Sequence, residues 1–93
     1  MDQQDLINRI VALAQAISLT QHRFVDVRYD GTANQLQITV ISRDGKKRAP
    51  SFVDLHEPGE PEISRERVNR NLRDVVTHLE SLHSKTQQRS FSL

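Results

Sequence analysis

The chain has no cysteine, so disulfides, thiolate metal sites and thiol catalysis are excluded together. Its three glycines are scattered singly, which leaves no Gly-rich loop to cradle phosphates. Aromatic residues are limited to Phe24, Tyr29, Phe52 and Phe91, so the core must be built mostly from Leu, Ile and Val. No apolar run approaches the roughly 20 residues a membrane span requires. The opening Met1-Asp2-Gln3-Gln4-Asp5 is acidic and polar, unlike a secretion signal, and a reducing cytoplasm is the expected compartment. A net charge of +1 gives no bulk electrostatic pull toward nucleic acid and leaves open only a local basic patch.

Within 93 residues there is room for one hydrophobic core. A first helix is expected over about residues 2–18, with Asp2 as N-cap and Asp5 in the first turn, where the helix dipole favours an anion. Leu6, Ile10, Leu13 and Ile17 recur at spacings of four, three and four, which is the period of one buried face. A second helix is expected to start with Ser64 as N-cap, with Ile63 and Val68 as a hydrophobic staple. Its buried stripe would be Val68, Leu72, Val75, Val76, Leu79 and Leu82.

Between the helices, residues 24–29 and 35–41 alternate apolar and polar, as half-buried strands do. A four-residue loop over 31–34 places Tyr29 opposite Leu36, Val27 opposite Ile38 and Val25 opposite Val40. Every pair is then apolar on one face, and a slip of one residue would destroy the match. Asp44-Gly45 suggests a two-residue type I′ turn, which would set Ala49 opposite Val40, Ser51 opposite Ile38 and Val53 opposite Leu36. Pro50 cannot donate to a ladder and marks the third strand as an edge.

The expected fold is therefore α+β: an α-β-β-β-α chain whose three-stranded antiparallel meander carries both helices on one face. Residues 1–83 would form the domain, and 84–93 a flexible C-terminal tail. This order resembles the double-stranded-RNA-binding fold in topology. That family opens its second helix with lysines after a Gly-rich loop. Here the stretch Glu57-Pro58-Gly59-Glu60-Pro61-Glu62, followed by Ser64-Arg65-Glu66-Arg67, is acidic where phosphates would dock.

Candidate binding residues fall in three places. Phe24, Ile41 and Phe52 form apolar margins on the otherwise polar outer sheet face. Arg28, Arg43, Lys46, Lys47 and Arg48 could grip phosphates or an acidic protein, or simply deter sheet-to-sheet aggregation. At the C-terminus, Gln88-Arg89-Ser90-Phe91-Ser92-Leu93 resembles the hexapeptide by which bacterial proteins dock on the DNA polymerase sliding clamp. Gln88, Phe91 and Leu93 match its anchor positions, while Arg89 stands where an apolar residue is usual.

No nucleophile elbow and no His-Glu-x-x-His spacing occurs, and the four histidines form no recognisable ligand triplet. A sheet of three strands with two helices also offers little expected concavity. The expectation is a non-enzymatic interaction or regulatory module, with no cofactor and no metal, acting by protein–protein contact and as a homodimer. Nucleic-acid binding through the basic second hairpin is the alternative, and tail docking on a sliding clamp a further one.

Overall fold

In the computed structural model, residues 2–21, 23–42 and 44–84 are described in full, and residues 85–91 by their backbone. The element order is α1 (Gln3–Thr20), β1 (Phe24–Asp30), β2 (Gln35–Ile41), β3 (Ser51–Asp54) and α2 (Glu62–Phe91). The strands form one antiparallel sheet in the order β1-β2-β3, so the fold is the α+β meander that the pattern predicts.

Helix α1 starts where its chemistry says it should. The Asp2 carboxylate accepts from the Asp5 N–H at 2.9 Å, satisfying one of the orphan donors of the first turn. Leu6, Ile10, Leu13, Ala14 and Ile17 are buried along one stripe. Helix α2 differs from expectation at both ends. It begins at Glu62, directly after Pro61, and Ser64 lies inside the first turn, donating its N–H to the Pro61 carbonyl at 3.0 Å. Ile63 is 67% exposed, so it makes no staple. Proline favours this entry because its fixed φ suits a first turn and its missing N–H costs nothing there. At the other end the helical backbone runs through Ser84 to Phe91, because this stretch contains lysine, glutamine and arginine but no glycine or proline to stop it.

Both helices cover the same face of the sheet. Leu6, Ile10 and Ile17 of α1 share one core with Val25, Leu36, Ile38 and Val53 of the sheet and with Val68, Leu72 and Leu79 of α2. Helix α1 lies against β1, α2 reaches over β3, and the helices pack on each other. The β1–β2 register is the expected one: Val25 faces Val40, Val27 faces Ile38 and Tyr29 faces Leu36. In the connecting turn the Asp30 carboxylate accepts from the Thr32 N–H at 3.0 Å, and Asn34 takes the left-handed conformation at φ 49°.

The second hairpin corrects the sequence reading. Gly45 has a φ of +84° but Asp44 has no positive φ, so the turn is not type I′. Instead Gly45 donates its N–H to the Ser42 carbonyl and Ser42 donates to the Lys46 carbonyl, which closes a three-residue loop. Ile41 then faces Lys47, and the Arg48 N–H reaches the Val40 carbonyl at 3.0 Å, so Ala49 is not opposite Val40. By Ser51 the expected register has returned, with Ile38 facing Ser51 and Leu36 facing Val53. Between these pairs β2 contributes two residues, Thr39 and Val40, whereas the returning segment contributes three: Arg48, Ala49 and Pro50. That one-residue bulge absorbs the longer turn.

Both sheet edges are blunted. On β1, the Val25 N–H donates to the Ser18 hydroxyl of α1 at 3.1 Å and is closed to a further strand. On the β3 side, Pro50 has no N–H to offer, and the strand is only four residues long.

Candidate functional site

The helices cover one side of the sheet and leave the other bare. Alternation puts Phe24, Asp26, Arg28 and Asp30 of β1 on this outer face, with Gln35, Gln37, Thr39 and Ile41 of β2 and Phe52 and Asp54 of β3. The pairings order them into rows. Phe24, Ile41 and Lys47 form the first row, Asp26 and Thr39 the second, Arg28, Gln37 and Phe52 the third, and Asp30, Gln35 and Asp54 the fourth. Charge therefore runs along the strands, basic at the second-hairpin end and acidic at the end formed by Asp30 and Asp54.

Phe24 and Phe52 are 52% and 56% exposed, and Ile41 is half-buried. These three predicted residues share the face but not a single patch, because Phe24 and Phe52 occupy opposite edge strands and different rows. Arg28, Lys47 and Arg48 come together with Asp26, Gln37, Thr39 and Pro50 around a shallow basin of about 300 Å³. Lys46 stays exposed on the turn, with its ammonium 3.9 Å from the Asp44 carboxylate. Asp44 also accepts from the Ser42 hydroxyl and the Lys46 N–H, and these bonds, the hydroxyl first, hold its pKa below the usual carboxylate value. Arg43 and Leu93 lie outside the described residues, as do the side chains of Gln88 and Phe91.

A second concavity was not anticipated. Where the returning segment bulges, it stands off from α2 and leaves a cleft of about 250 Å³. Ile38, Val40, Val75 and Leu79 line its apolar part, with Ala49, Ser51, Arg48, Asp74 and His78 around them. Its only trace in the sequence is the small size of Ala49 and Ser51 on the returning segment, which leaves volume unfilled. Arg48 borders both the cleft and the outer basin. Ser51, His78 and Asp74 line the same cleft, and among the described residues no hydrogen bond joins them. Nor do three His, Asp or Glu side chains among the described residues converge closely enough to hold a metal ion. Among those residues, no helix is long and apolar enough to cross a membrane.

No family model, curated protein or solved structure matches the chain.

Proposed function

We propose that the chain is a non-enzymatic binding module that docks a protein on the outer face of its sheet. One observation carries this reading. Both helices are committed to the same side, and the bare side exposes about half of each of two phenylalanines among charged and amide side chains. Exposed aromatics set in a polar surround supply much of the binding energy at protein interfaces. The rigid strands behind them keep the ordering cost of docking low.

Phe52→Glu tests this reading, since Phe52 lies outside the buried core and the fold is expected to survive its replacement, which circular dichroism checks. Affinity capture from cells that express the chain is expected to retain a protein partner on the wild type and to lose it on the variant. Identical capture by both proteins would contradict the assignment.

Arg28, Lys47 and Arg48 around one basin support a second reading, binding of single-stranded nucleic acid across the same face. Asp26 inside that basin and the acidic fourth row oppose it. Titration with a labelled oligonucleotide at low salt separates the two, because phosphate contacts make affinity fall steeply as salt rises.

A further inference from the structure

We infer that a partner for the outer face is a second copy of this chain, packed face to face with its strands antiparallel to the first. This deepens the binding-face reading and rests on it. The observation is the order of charge along the strands. From the second hairpin to the first turn, the outer residues run Lys47, Asp26, Arg28 and then Asp30 with Asp54.

Two such faces can be brought together about a two-fold axis in only two aligned ways. With the axis parallel to the strands, β1 lies over β3 of the second copy and equivalent rows meet. Asp30 then opposes Asp54, a like-charge contact made twice, and such contacts oppose association. With the axis perpendicular to the strands, each strand lies over its own equivalent and the rows reverse. Asp26 then meets Arg28 of the second copy, Lys47 meets Asp54, and Thr39 meets Gln37. Each contact is made twice because the interface is self-complementary.

Packed sheets lie about 10 Å apart, a gap that an arginine and an aspartate reaching from opposite faces can close. Asp26 and Arg28 are exposed, and neither takes part in an ion pair among the described residues, so both are free to make these contacts. Edge-to-edge pairing is the less favoured route. Ser18 already occupies the Val25 N–H on one edge, and Pro50 interrupts the other.

Four rows on three strands cover roughly 20 by 14 Å, about 280 Å² per face, which is below the size of a standard specific interface and suits only a weak, transient contact. The dimer is therefore weak and salt-sensitive, with a dissociation constant on the order of 0.1–1 mM. Sedimentation equilibrium at low ionic strength tests it on the full chain and on Asp26→Arg, Arg28→Asp and the double exchange, with circular dichroism as the fold check. Each single variant sets like charges against each other and is expected to weaken association by about tenfold or more. The double exchange restores unlike pairs and is expected to recover association.

A wild type that stays monomeric at about 1 mM would overturn the inference. So would single variants that associate like the wild type, or a double exchange as weak as either single. If the wild type is monomeric while Phe52→Glu still loses a captured protein, the second copy is ruled out and the binding face stands. If Phe52→Glu loses nothing, the binding-face reading itself fails.

Discussion

Leu55 and Asn34 are joined by two hydrogen bonds: the Leu55 N–H donates to the Asn34 carbonyl at 2.9 Å, and the Asn34 side-chain amide donates back to the Leu55 carbonyl at 3.3 Å. One residue thus ends the first turn and pins the exit of β3 beside it. Its Oδ1 also accepts from the Tyr29 hydroxyl at 2.9 Å, and its backbone sits at φ 49°, where asparagine is tolerated better than most residues.

Asn34→Ala loses both side-chain bonds and adds strain at the positive φ, so a loss of about 2 kcal/mol in denaturant unfolding is expected. Asn34→Gly loses the bonds but keeps the conformation, and about 1 kcal/mol is expected. A glycine variant less stable than the alanine variant would show that backbone conformation is not what selects asparagine here.

The cleft beside α2 is unfilled volume next to Ile38 and Leu79. Ser51→Val places a β-branched apolar side chain opposite Ile38 and is expected to raise stability by about 1 kcal/mol. Thermal unfolding measures this directly. A lower Tm would mean that the cleft has no room for the added methyl groups.

Pro50 removes one donor from the open edge of the sheet beside β3. Pro50→Val restores an N–H and a strand-forming residue, and the expected result is concentration-dependent aggregation on heating, read by light scattering. Unchanged scattering would show that the short β3 is protection enough.

Asp44 holds the second turn through the Ser42 hydroxyl and the Lys46 N–H, and its pKa lies below its ordinary value of 3.8. A depressed carboxylate pKa contributes stability that is full above the unfolded value and is lost as pH falls through the lower folded value. The turn should therefore stay closed at pH 5 and loosen in strong acid, below the ordinary carboxylate value. Amide exchange at Gly45 and Lys46 reports it, and Asp44→Asn should reproduce the loosening at neutral pH. A turn equally protected at both pH values would contradict this role.

Much of the scaffold was legible because period-two alternation permits only one register for β1 on β2, and four-three spacing permits only one buried stripe on α1. The second hairpin was legible only in part. Asp44-Gly45 signals a two-residue turn, yet only Gly45 takes a positive φ, and the extra loop residue is repaid by the bulge before Ser51. Two one-residue departures cancel, so the pairing of Leu36 with Val53 was right although the turn was not. The cleft went unseen because it depends on that bulge standing off from α2, a spacing that no local pattern encodes. On the outer face, residue alternation placed Phe24, Arg28 and Phe52 on one side. The order of charge along it became readable only once the pairings were known.

The central claim is that two copies of the chain pair through the bare outer face, and a dilution series of amide correlation spectra tests it most directly. Between millimolar and micromolar protein, shifts should be confined to Phe24, Asp26, Arg28, Gln37, Thr39, Lys47, Phe52 and Asp54, with α1 and α2 unmoved. Shifts that map to the helices, or no shift at any concentration, would contradict it.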